Sequence, residues 1–154
     1  MIPEFSHLLA ISSAGLMLFS SLIGIINYSS NKSNKLRQLT HNTFNAAAFF
    51  LFVSFAVYIY LAIQDDFSVA YIASHSNSDL PVFYKISSIW SAHEGSMFLW
   101  ITFLAGWLWL FINHTKNDHE FFELLIIFSA ILIFGFLLFL PVSYTHLRAH
   151  ETTD

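Results

Sequence analysis

The sequence predicts an all-α, polytopic integral membrane protein with four transmembrane helices, at roughly residues 8–26, 44–63, 88–112 and 121–140. Three observations carry that expectation. Of 154 residues, 56% are hydrophobic and only 10% charged, against roughly 25% charged in a soluble domain. Four apolar runs approach the ~20 residues that cross a hydrocarbon core about 30 Å thick. None of the runs alternates polar with apolar as a barrel strand would, and only helices satisfy every backbone polar group within one such segment.

The run 8–26, LLAISSAGLMLFSSLIGII, carries no charge. The residues before it, MIPEFSH, include Glu4 and no base, which is the wrong start for a cleaved signal peptide, so the helix reads as retained. The run 44–63 is also uncharged and ends at Gln64, Asp65 and Asp66. The third has a short apolar stretch behind a polar cluster, and its start is expected near residue 88. The fourth carries Glu123 one turn in, where a carboxylate favours the positive helix end and can reach the interface. Pro141 is expected to end it.

Orientation follows from the basic residues of short loops. Residues 28–42 hold Lys32, Lys35 and Arg37 without an acid, whereas residues 64–87 hold Lys85 beside Asp65, Asp66 and Asp79. With Lys116 in the third connection, both termini and the loop 64–87 are expected on the outer, periplasmic side of a bacterial inner membrane. Trp100 and Trp109 fit interfacial belts, and Trp107 fits either an anchor or bundle packing.

Several function classes are excluded. A net charge of −4 leaves no basic footprint for nucleic acid. No cysteine means no disulfide scaffold, thiolate metal site or haem attachment through the chain's own thiols. Phosphate loops, zinc-protease motifs and nucleophile elbows are missing as well.

The densest polar constellation is Trp90-Ser91-Ala92-His93-Glu94-Gly95-Ser96 at the mouth of the third helix. Two readings stand. His93 and Glu94 could face a bundle interior or a water-filled cavity and relay protons, ligate a metal or hold a substrate charge. Alternatively, a serine caps the helix, Glu94 answers the helix dipole and Trp90 belongs to the interfacial belt. His7 and His75 lie on the same side as His93, but no spacing requires a shared site. His114 and His119 flank a solvated turn and are five apart, so they do not share a helix face. The Asp65-Asp66 pair reads as the end of the second helix. Catalytic residues are unassigned, no metal site is expected, and Trp90, His93, Glu94 and His75 are the candidate functional residues.

Three blocks along the chain carry a resemblance. They are DFSVAYIASHSN at 66–77, LPVFYK at 80–85 and WSAHEGS at 90–96 followed by Leu99-Trp100. Together they closely resemble the CcmF/NrfE family, the large membrane subunit of the bacterial cytochrome c haem lyase, over residues 1–140. That resemblance implies a protein that joins haem vinyl groups to the CxxCH thiols of apocytochrome c at the periplasmic face. It also implies haem receipt from a haem chaperone, contacts with other maturation subunits and a haem b in the membrane domain of the full-length protein. Family members are several times longer, and their tryptophan-rich periplasmic segment and haem-ligating histidines lie beyond this stretch. None of those ligands carries over to His7, His41, His75, His93, His114 or His119, so no cofactor is assigned to this chain's own residues and it is not expected to attach haem alone.

Residues 1–140 thus read as the N-terminal four-helix portion of a larger membrane domain. The polar tail 141–154 resembles nothing in the family and reads as non-native sequence after a truncation. Two other readings remain at this stage, a transporter or channel fragment and a non-catalytic membrane assembly subunit. The first would place charges or broken helices at mid-membrane, whereas here only Gly15, Gly24, Gly106 and Gly135 interrupt the spans.

Overall fold

The computed structural model describes residues 2–30, 33–91, 93–114 and 119–150; the side chains of residues 70, 94, 119, 120 and 140–150 lie outside that description. Its elements are α1 (Ile2–Ser29), α2 (Asn34–Ile63), α3 (Ala70–His75), α4 (Val82–Ser88), α5 (His93–His114) and α6 (His119–His150). Four stretches are long and apolar enough to cross a membrane: Ile2–Ser29, Asn34–Ile63, Gly95–His114 and Phe121–Phe139. The chain is a helical multi-pass membrane protein. Its long helices close a ring in the order α1, α2, α5, α6, with α2 also touching α6 across the diagonal. One end of the bundle carries the connection from α1 to α2, and the other carries the α3–α4 segment.

The helices differ from the sequence expectation mostly at their ends. α1 starts at Ile2 because Pro3 falls in the first turn, where a missing N–H goes unused. α2 starts ten residues before position 44, so Lys35 and Arg37 lie in its first turn and not in a long loop. Leu36 and Leu39 keep that turn compatible with helix, and Thr40 is already buried in the bundle. Lys32 and Lys116 lie outside the described residues. α5 starts at His93, and residues 82–88 form a separate helix. α6 continues through Pro141 to His150 and does not stop there. A proline inside a helix forfeits its own bond to the carbonyl four residues back, here that of Leu137, and crowds that carbonyl with its ring, so the continuation is made at a local cost. Residues 151–154 of the tail are not described.

Lipid offers no hydrophobic gain to helix association, so the α1–α2 contact needs close packing and polar pairing. It has both. Ser13 Oγ donates to the Ala47 carbonyl at 2.8 Å and Ser20 Oγ to the Thr40 carbonyl at 2.9 Å. Ser6 and Ser54 donate to each other's carbonyls at 3.0 and 2.8 Å. Each step of seven residues along α1 is matched by a step of seven in the opposite direction along α2, as an antiparallel pair with a repeating seam requires. Small side chains there let the backbones approach, with Ala47 and Ala48 fully buried.

One further step of seven reaches Asn27, which is 1% exposed and turns to α6. Its Nδ2 donates to Glu123 Oε1 at 2.5 Å. Glu123 is only 4% exposed. The expectation that it reaches the interface is therefore corrected: α1 covers the first turns of α6, and the carboxylate is held inside the bundle by an amide. Close by, a Cβ on Gly24 would stand 2.6 Å from Ile127 Cγ1, so glycine permits this approach of α1 to α6.

The other face of α2 is aromatic. Phe55 meets Phe98 of α5 edge-on at 5.2 Å between ring centroids, and Tyr58 lies 5.9 Å from Phe98. Ile101, Ala105, Ile126, Ala130 and Ile133 complete the core of the second helix pair. Nearer the turn end, Asn113 Nδ2 donates to Asn45 Oδ1 at 3.1 Å and Asn45 Nδ2 to Asn113 Oδ1 at 3.3 Å, a reciprocal amide pair between α5 and α2. Trp100 and Trp107, seven residues apart on α5, project outward at 72% exposure each.

Candidate functional site

At the α3–α4 end, α2 stops through its backbone. The Asp66 N–H bonds the Leu61 carbonyl at 3.1 Å and the Asp65 N–H bonds that of Ala62 at 3.4 Å. Asp65 takes the left-handed conformation, φ 54°, that such an ending requires. Asp is one of the few side chains that tolerate it. Its carboxylate pairs with Lys85 of α4, Nζ to Oδ2 at 2.5 Å, and Lys85 is 7% exposed. A lone buried lysine would carry a large desolvation cost, so this partner is what allows α4 to lie against the end of α2. Asp66 does separate work. Its Oδ1 accepts from the N–H and hydroxyl of Ser68 and shapes the turn into α3.

Tyr71 fastens α3 to the start of α5. It is 3% exposed, lies 6.0 Å from the Tyr58 ring, and its hydroxyl donates to the Ile89 carbonyl at 2.7 Å. A Cβ on Gly95 would sit 1.6 Å from that same carbonyl oxygen and 2.6 Å from the Tyr71 hydroxyl. Gly95 therefore sits at a point where backbone, phenol and helix meet with no room for a side chain. This ties the block 66–77 to the block 90–96 directly.

The candidate residues stand around that knot. His75 is exposed, stacks on Tyr71 at 4.5 Å between centroids, and its Nδ1 lies 3.0 Å from the Tyr71 carbonyl and 2.7 Å from Ser74 Oγ. His93 opens α5 and is exposed; its carbonyl accepts from Ser96 Oγ at 2.9 Å. Trp90 is 40% exposed. The backbone of Glu94 lies in the first turn of α5, and its side chain is outside the description. Among the described residues, no group of three or more His, Asp or Glu is placed to hold a metal ion. His7, His75, His93 and His114 are exposed, and His41 is half-buried with Nδ1 3.3 Å from Asn45 Nδ2. These five rings, the histidine side chains that are described, do not fit an enclosed haem site.

Three residues that organise the site went unrecognised in the sequence: Tyr71, Lys85 and Gly95. The signals for them were their places in the three blocks of resemblance, a lone lysine in an acidic loop and a glycine behind a histidine and a glutamate. None says which backbone approaches it.

Bundle and capping segment together define a class, that of multi-pass helical membrane proteins with a structured loop folded over one end. No family model matches the chain. It is 33% identical over 144 residues to the cytochrome c-type biogenesis protein CcmF of Pseudomonas aeruginosa, covering 93% of this chain and 22% of that protein. It is 39% identical over 90 residues to the cytochrome c-type biogenesis protein NrfE of Haemophilus influenzae, covering 57% of this chain and 14% of that protein. A solved structure of cytochrome c heme lyase CcmF superposes with a TM-score of 0.81 at 17% identity, over 89% of this chain and 23% of that one. The chain belongs to the CcmF/NrfE family of cytochrome c-type biogenesis proteins and spans about a fifth of the length of the CcmF proteins matched over most of it.

Proposed function

We propose that this chain forms the four-helix portion, residues 1–140, of a membrane protein that delivers haem and joins it covalently to apocytochrome c at the periplasmic face. Residues 141–154, the polar tail that reads as non-native in the sequence, are not counted in that portion, although α6 runs on to His150. The observation that carries this reading is the knot at Gly95, which locks the family-like blocks into one surface at a single end of the bundle. Around it, Trp90, His93 and His75 are exposed and free to meet haem, apocytochrome or another maturation subunit. In this reading a haem chaperone supplies the haem, and the haem b of the whole protein is held elsewhere. Trp90, His93, His75 and Glu94 shape the meeting surface; they do not ligate iron.

The orientation proposed is both termini and residues 64–87 outside, supported by Lys35 and Arg37 in the first turn of α2. A periplasm-active reporter fused near Ser78 should be active and one near Asn34 inactive; the reverse pattern overturns the orientation.

The functional test uses the full-length protein containing this segment in cells lacking their own lyase. His93→Ala should lower cytochrome c yield while leaving the membrane haem spectrum of the purified protein unchanged. Loss of haem absorption that added imidazole restores would make His93 an axial ligand and end the architectural reading.

A further inference from the structure

α4 presents the reverse of the faces expected of a helix in water. Its one charged side chain, Lys85, is 7% exposed, while Val82, Phe83 and Tyr84 stand out at 54%, 77% and 59%. Phe83 and Tyr84 meet edge to face, 6.1 Å between ring centroids. Nothing else in the described residues covers them.

We propose that this aromatic face of α4 rests in the headgroup region of the bilayer, so that the segment between α2 and α5 stands on the lipid surface beside the bundle. The height of the helix supports that occupant. The Lys85–Asp65 pair fixes α4 level with the second residue after the end of α2, a helix long and apolar enough to cross a membrane. Tyr60, 49% exposed, lies three residues before that end, and Trp100 is 72% exposed two turns into α5. α4 thus carries exposed aromatics, as do the two spans that flank it in the chain. Tyr and Trp favour this depth, where an amphipathic ring meets both phases. The only formal charge on α4 is held by Asp65, so no ionised group on its outer face opposes the lipid.

The sequence has no cysteine, so one introduced thiol reports from one place. Phe83→Cys and Tyr84→Cys, with Ser78→Cys as an exposed control in the same loop, would be labelled with a polarity-sensitive fluorophore. The full chain would then be placed in phosphatidylethanolamine/phosphatidylglycerol nanodiscs. Probes at 83 and 84 should emit to the blue of the probe at 78 and be quenched by phospholipids carrying a nitroxide at the headgroup. Aqueous iodide should quench them roughly tenfold less than the control, as for a face sunk into the headgroup boundary. Iodide quenching equal to that at 78 would put the face in water and overturn the proposal. Protection from both lipid nitroxide and iodide would overturn it too, by showing protein over the face. The outcome does not depend on whether the chain serves cytochrome c maturation, so it fails or stands separately from that function.

Discussion

α2 is held on its two sides by different physics. Toward α1 it offers carbonyls and a hydroxyl, and three serines of α1 reach them at steps of seven. Toward α3 and α5 it offers Phe55 and Tyr58, which pack against Phe98 and Tyr71, and at the turn end Asn45, which exchanges hydrogen bonds with Asn113. The hydroxyls of the second pair turn back on their own helices: Thr102 Oγ1 donates to the Phe98 carbonyl and Ser129 Oγ to that of Leu125. The serine side specifies a register from several weak, directional bonds. The aromatic side gains area and is pinned at one crowded point.

The largest test strikes that point. Gly95→Ala places a methyl inside the contact distance of the Ile89 carbonyl, and backbone cannot move aside as a side-chain tip would. A loss of about 3 kcal/mol or more is expected in detergent unfolding. Protease cleavage within residues 66–92 should rise with it. Wild-type stability in Gly95→Ala would mean that the α3–α5 knot is loose.

On the serine side, Ser6→Ala, Ser13→Ala and Ser20→Ala together should cost about 2 kcal/mol, the sum of three membrane hydrogen bonds near 0.6 kcal/mol each. Single variants should barely register. A single serine change as damaging as all three would replace the picture of a distributed seam by one dominant contact.

The smallest effect is expected at the turn end. Asn27 Oδ1 is buried with no hydrogen-bond partner while its Nδ2 serves Glu123. Glu123→Gln keeps the acceptor and adds an amide N–H for that oxygen, the reciprocal arrangement already seen between Asn45 and Asn113. Unfolding in detergent should show unchanged stability or a gain of up to about 1 kcal/mol. A marked loss would show that the carboxylate has another buried partner.

The four spans were legible because each is a long apolar run, and length with hydropathy is all a membrane helix must declare. Ends were not. The start of α2 is fixed by what Thr40 meets on α1, and α6 continues through a proline that local propensity reads as a stop. α3 and α4 have six and seven residues and are held by Tyr71 and Lys85 from partners 18 and 20 positions away, so no local pattern announces them. Among the candidate residues, the histidines and Trp90 were visible as chemically costly side chains near lipid. The residues that position them, Gly95 above all, act through backbone proximity, which leaves no trace in residue type.

The serine seam also sets how far α1 can slide. A repeat of seven maps onto itself when one helix shifts by seven residues, about 10 Å along the axis. After that slip Ser13 and Ser20 would find the places now used by Ser6 and Ser13, so hydroxyl pairing alone is a scale with identical marks. Asn27 is a mark that differs, as is Gly24 at its approach to Ile127. Any such displacement parts Asn27 from Glu123 and leaves a buried polar side chain without its hydrogen bond, a loss on the order of 1–3 kcal/mol. An amide, a carboxyl and a glycine therefore turn a periodic scale into one with a zero, and give the hairpin one depth at which to settle during insertion.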